Sequence, residues 1–231
     1  MKKISNPGLI KRNRQIGNYS QLGGMAVLLG GLAASYFFPT RLDLSYISLI
    51  VGFILVSIGS NYSNRWGRNP PPDQAVDEVL KGLDDSFTIV HFHLGADHAL
   101  FTPNGTFAIL SKPERGLIAY DSSHSKWRQT GVSGFMKFFG IEALGNPADD
   151  SRYEAEKLTR KLGKVLETED APPVQPLIVF VNPKCRVEAE ESPVPALHAS
   201  KVKEYLRRLP KGPALRPDQL RQVIEYAGGK T

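Results

Sequence analysis

The chain has 231 residues, a formal net charge of +6 and one cysteine, Cys185, which excludes an internal disulfide framework and agrees with a reducing compartment. The charge is too unevenly placed to mark a nucleic-acid-binding chain by itself. Residues 1–61 hold six basic residues against one acidic residue, while the remaining 170 hold 23 against 22. The basic excess therefore reads first as membrane topology and attraction to anionic headgroups.

Two stretches carry no charge: Tyr19–Phe38, with 20 residues, and Leu44–Tyr62, with 19. Each reaches the roughly 17–25 residues that a helix needs to cross a bilayer. Only Pro39, Thr40, Arg41, Leu42 and Asp43 separate them, so the expected unit is a transmembrane helical hairpin. Lys2, Lys3, Lys11, Arg12 and Arg14 precede it, and Arg65 and Arg68 follow it. By the positive-inside rule both termini lie in the cytoplasm, at the inner membrane if the source is bacterial. A cleaved signal peptide is the rival reading, and the second span argues against it. Small residues at Ala26, Gly30 and Ala34, and at Ser48, Gly52 and Ser60, suit close approach between the helices or between copies in a homo-oligomer. Tyr19, Tyr36, Tyr46, Tyr62 and Trp66 stand near the span ends, where amphipathic rings prefer the interface. The expected domains are a basic cytoplasmic tail at 1–18, the hairpin at 19–62, a linker at 63–72 and a cytoplasmic domain at 73–231.

In the soluble part, Asp73–Leu83 places Ala75, Val76, Val79, Leu80 and Leu83 on one helical face. Phe87–His93 alternates as a strand, and Asp97–Phe101 and Thr106–Lys112 flank an Asn104-Gly105 turn. Leu117–Tyr120 and Lys126–Arg128 predict a further hairpin, and Gly131–Gly145 is a mixed segment with Phe135, Met136, Phe138 and Phe139. Asp149 and Asp150 open a long amphipathic helix to about Thr168, which Pro172 and Pro173 break. Pro176–Asn182 is continuously apolar, as a strand covered on both faces would be, and helices follow at Ser200–Leu209 and Asp218–Ala227. The order predicts an α/β domain.

In that order, residues 71–227 resemble the nuclease-related domain (NERD) family, which belongs by fold to the restriction-endonuclease-like, PD-(D/E)XK nucleases. The resemblance rests on the lead helix with Asp73, Val76 and Leu80, the block GADHALFTPNGTFAILSK, Gly116, Trp127, Asn146-Pro147, PLIVFVNP and Pro195-Ala196-Leu197. It implies a restriction-endonuclease-like mixed sheet flanked by helices. It also implies that Asp97 and the residue at 110 bind magnesium, that Lys112 orients water or stabilises phosphate charge, and that Asp73 supplies the lead-helix acid. The chain departs from the pattern twice: Leu110 stands where the family has an acid, and Asp150 where it usually has Gln. Glu114 and Glu78 are the candidate substitutes for the missing carboxylate.

The leading expectation is a membrane-anchored, NERD-like protein with a divergent and inactive nuclease site, acting as a binding or interaction module. A magnesium-dependent nuclease acting on DNA or RNA near the membrane, and a structural membrane adaptor, are the alternatives. Lys201, Lys203, Arg207 and Arg208, with Lys211, Arg216 and Arg221, form a basic cluster suited to phosphates of nucleic acid or lipid headgroups, or a solvated helix face. His91, His93, Asp97 and His98 lack a complete zinc ligand set and read as surface or edge histidines with a turn acid.

Overall fold

The computed structural model describes residues 1–131, 144–167 and 171–228. Most of the mixed segment at 131–145 and the expected end of the long helix at Thr168 lie outside the described residues. The chain divides into two units: residues 7–72, and residues 1–6 together with 73 onward.

The first unit is a pair of helices, α1 (Pro7–Phe37) and α2 (Leu42–Trp66). α1 starts well before the predicted span and takes in Lys11, Arg12 and Arg14. Among the described residues one helix, α2, is long and apolar enough to cross a membrane. Leu22, Leu29 and Leu32 of α1, and Ile47, Leu49, Ile50 and Phe53 of α2, are exposed. The seam is built from glycines seven residues apart, Gly17, Gly24 and Gly31 facing α2 and Gly52 and Gly59 facing α1. A seven-residue repeat keeps one stripe of a helix on its partner when the two cross at a shallow angle. Of the small residues expected at the contact, Gly52 and Ser48 are there, whereas a side chain at Gly30 would meet open space.

The second unit holds a six-stranded mixed sheet in the order β1-β2-β3-β4-β7-β9, from β1 (Lys2–Ile4), β2 (Thr88–His91), β3 (His98–Thr102), β4 (Gly105–Lys112), β7 (Val174–Phe180) and β9 (Ala196–His198). β2, β3 and β4 form an antiparallel meander, while β1, β7 and β9 join in parallel. A smaller sheet of β6 (Lys126–Thr130), β5 (Gly116–Asp121) and β8 (Cys185–Glu188) contains the predicted hairpin. β1 is a departure from the sequence reading: Lys2 and Lys3, read as part of a basic tail, pair with Thr88 and Ile89. The N-terminal ammonium also meets Asp85 at 2.6 Å, and Lys2 N–H donates to the Phe87 carbonyl at 2.9 Å.

Alternation along the strands sorts the core into two faces. Val90, Ala99, Phe101 and Ala108 pack against Ala155, Leu158 and Leu162 of α4 (Pro147–Leu166) and Val223 of α6 (Pro217–Tyr226). Ile89, Leu100, Phe107, Ile109, Leu177 and Val179 pack against Val76 and Leu80 of α3 (Pro72–Leu80) and Val202 and Leu206 of α5 (Ala199–Arg208). A third cluster of Ile118, Leu144, Ala148, Ile178 and Phe180 joins the small sheet to the large one. α4 begins at Pro147, behind Asn146, so Asp149 and Asp150 stand in its first turn rather than ahead of it.

A Cβ at Gly24 would lie 2.7 Å from the backbone nitrogen of Val56, and one at Gly30 would touch nothing within 4 Å. Gly24→Ala is therefore expected to lower the hairpin's stability by about 1–3 kcal/mol, the usual cost of overpacking, and Gly30→Ala to leave it unchanged. SDS titration of the detergent-solubilised chain, followed by circular dichroism, measures both.

Candidate functional site

The β3–β4 hairpin positions the strand residues. Thr102 Oγ1 donates to the Gly105 carbonyl at 3.0 Å and accepts from Asn104 N–H at 3.0 Å, closing the predicted turn. Gly105 sits at φ 151°, where a side chain would be strained. The resulting register sets His98 opposite Ile109 and Ala99 opposite Ala108. Asp97, one residue before β3, therefore stands level with Leu110, and by alternation Asp97, Leu110 and Lys112 share the face that α4 covers.

α4 brings two acids to this face. Lys112 Nζ lies 3.0 Å from Asp150 Oδ2 and donates to the Leu144 carbonyl at 3.3 Å, with its side chain only 14% exposed. Glu154 Oε2 accepts the Asp97 backbone N–H at 2.9 Å, and its Oε1 meets Lys157 Nζ at 2.6 Å. Burial raises the Glu154 carboxyl above its ordinary range and the Asp97 charge adds to this, against the opposing hydrogen bonds of Lys157 and the Asp97 amide. Sequence reasoning missed Glu154, although the signal was present: it falls between Ser151, Ala155 and Leu158 on the helix's buried stripe. Leu110 packs on the third cluster and pairs in register with Ile178.

The other expected residues lie elsewhere. Asp73 belongs to α3, on the opposite face of the sheet, and accepts from Ser5 Oγ at 2.8 Å. Glu78 is exposed and pairs with Lys81 at 3.1 Å. Glu114 is buried near Cys185, whose thiol is pushed up to about 11 by burial and then by the Glu114 charge. The basic cluster is divided: Lys201, Lys203, Arg207 and Arg208 lie on α5, while Arg221 lies on α6, which packs over the other face with α4.

His91 and His98 are not surface histidines. Both are buried on the α3 face, with Nδ1 to Nδ1 at 2.7 Å. His91 Nε2 lies 3.3 Å from Asp77 Oδ1, His98 Nε2 lies 3.3 Å from Ser111 Oγ, and Lys3 Nζ meets Asp77 Oδ2 at 3.2 Å. Only one proton fits between the two Nδ1 atoms. With Asp77 accepting from His91 Nε2–H, a neutral His91 accepts from His98 Nδ1–H, and His98 Nε2 accepts the Ser111 hydroxyl.

The donor set does not fit a magnesium site of the kind the resemblance implies. Such a site needs hard oxygen ligands that are free to coordinate. Leu110 supplies none, Glu154 is engaged by Lys157 and the Asp97 amide, and Asp150 is engaged by Lys112. Among the described residues no group of three or more His, Cys, Asp or Glu is placed to hold a metal ion, zinc included.

Burial pushes the Asp77 carboxyl up, but the hydrogen bonds of His91 and Lys3 and the Lys3 ammonium outweigh it and leave the group below its ordinary range. A carboxyl depressed on folding adds stability that is present above its unfolded pKa and lost as pH falls through the folded one. Asp77→Asn is expected to cost about 1–3 kcal/mol at neutral pH, as a hydrogen bond to a charged group does. The gap from the parent should close below about pH 4 in thermal melts across pH.

Comparisons with curated proteins and with solved structures returned no match. Residues 73–181, from the start of α3 to just past β7, match the family model of the nuclease-related domain, which supports that family for the segment carrying Asp97, Leu110, Lys112 and Glu154.

Proposed function

We propose that this chain is a membrane-anchored, nuclease-derived protein whose domain no longer cleaves phosphodiesters and serves as a binding or interaction module. The observation that carries this reading is the capture of Lys112 by Asp150, two residues along the strand from a leucine packed into apolar surroundings. A lysine held by a carboxylate is poorly placed to stabilise charge on a phosphoryl oxygen, and position 110 offers a cation no ligand. The specific observation that favours the alternative, a magnesium-dependent nuclease, is Glu154: it brings a second carboxylate to the Asp97 amide from the helix rather than from the strand.

The full chain in nanodiscs, incubated with single- and double-stranded DNA and RNA and with magnesium or manganese, separates the two. No cleavage above a no-protein control is expected. Cleavage that disappears in Asp97→Ala and in Lys112→Ala would overturn the proposal. The full chain is required, because a fragment starting after the helices would lack β1.

The anchor reading draws on α2, on the exposed apolar side chains of both helices, and on strand pairing. β1 precedes α1 and β2 follows α2, yet both belong to one sheet. If α1 and α2 cross a bilayer, they enter and leave it at the same face, with the turn near Thr40 on the other; by charge that shared face is cytoplasmic. In a Cys185→Ser background, an impermeant maleimide added to intact cells should label Thr40→Cys at once and Glu190→Cys only after permeabilisation. The reverse pattern would sink this topology.

A further inference from the structure

We infer that the outer face of α5 is a docking surface for anionic lipid headgroups. This rests on the membrane-anchor reading above. α5 buries Val202 and Leu206 in the core and turns Lys201, Glu204, Arg207 and Arg208 to solvent, with Lys211 exposed just past its end. Glu204, the helix's one acid, is taken by Arg208 at 2.7 Å, and Lys203 donates to the Lys81 carbonyl at 3.1 Å. Among the described residues Lys201, Arg207 and Lys211 make no ion pair. The face therefore presents three uncompensated cations.

Lipid rather than nucleic acid is the partner that these observations favour. Lys201 borders a cleft beside β8 and β9, but Arg207 and Lys211 do not line it, so the three cations do not follow one groove as a phosphate backbone would require. Tyr205, the one aromatic of α5, is half-buried against the core, so no ring is offered for stacking on bases. An anionic leaflet can meet exposed cations that share no groove, and clusters of Lys and Arg on an amphipathic helix bind such leaflets. The domain is also tied to the helices at two places, directly through Asn6-Pro7 and through residues 67–71 after α2. Such short tethers make even weak headgroup contacts effectively intramolecular.

The test is lysine acetylation footprinting of the full chain in phosphatidylcholine nanodiscs with and without phosphatidylglycerol, using exposed Lys126 as internal control. Phosphatidylglycerol should slow acetylation of Lys201 and Lys211 at least about threefold relative to Lys126, and raised salt should abolish the difference. Arg207→Glu should remove most of the protection at Lys211. Equal reactivity in both kinds of disc would overturn the inference and leave the anchor reading standing. A chain that enters neither disc would overturn both. Protection by duplex DNA in phosphatidylcholine discs, without any effect of phosphatidylglycerol, would overturn it in favour of nucleic acid.

Discussion

The pairing of β1 with β2 is the constraint on which the rest of the sheet-bearing unit depends. Residues 2–4 lie beside residues 88–90, so the sheet's edge is completed by chain that two long helices separate from it in sequence. Closing a loop of this length carries a large entropic cost, but the cost rises only slowly with length. The helices shorten the effective loop, because an antiparallel pair returns the chain close to where it left. The strand and its flanks are then held by polar groups at alternate residues: the ammonium of Met1 on Asp85, Lys3 on Asp77 and Ser5 on Asp73. Two of these carboxylates belong to α3, so the strand also fixes the lead helix over the sheet.

The face beneath α4 gathers charged groups from the hairpin and from the helix. The backbone still delivers Asp97, position 110 and Lys112 to one place, since the hairpin turn and register dictate it. Lys112 is paired with Asp150 and Glu154 with Lys157, while the Asp97 charge bears on Glu154 as a like charge. A shared scaffold does not by itself establish a shared chemistry.

The parts legible in the sequence were those with a repeating physical signal. The alternation in Asp97–Lys112, the apolar run of β7 and the amphipathic stripes of α3, α4 and α5 all predicted their elements. β1 was not legible, because three residues give no period and its two lysines fitted the charge pattern of a membrane flank. The glycine seam was misplaced because a spacing of four is also common in packed helices, and only the crossing geometry selects the spacing of seven. β8 and β9 are short strands in a Pro- and Glu-rich stretch and depend on neighbours far away in sequence. The roles of Glu154 and of the buried histidines needed the third dimension, since their partners come from other elements.

The chain of Lys3, Asp77, His91, His98 and Ser111 has a consequence for the identity of the native pairing. Its members come from β1, α3, β2, β3 and β4, and each meets the next through a polar contact. Apolar contacts on that face would tolerate many small displacements, but a slip of one residue between β2 and β3 would turn every side chain of the slipped strand to the opposite face. His98 would then be stranded among the alanines under α4, without an acceptor, while His91 kept a partnerless nitrogen. The buried polar line thus makes neighbouring misaligned sheets costly, and gives a short-stranded, loosely patterned meander a single alignment.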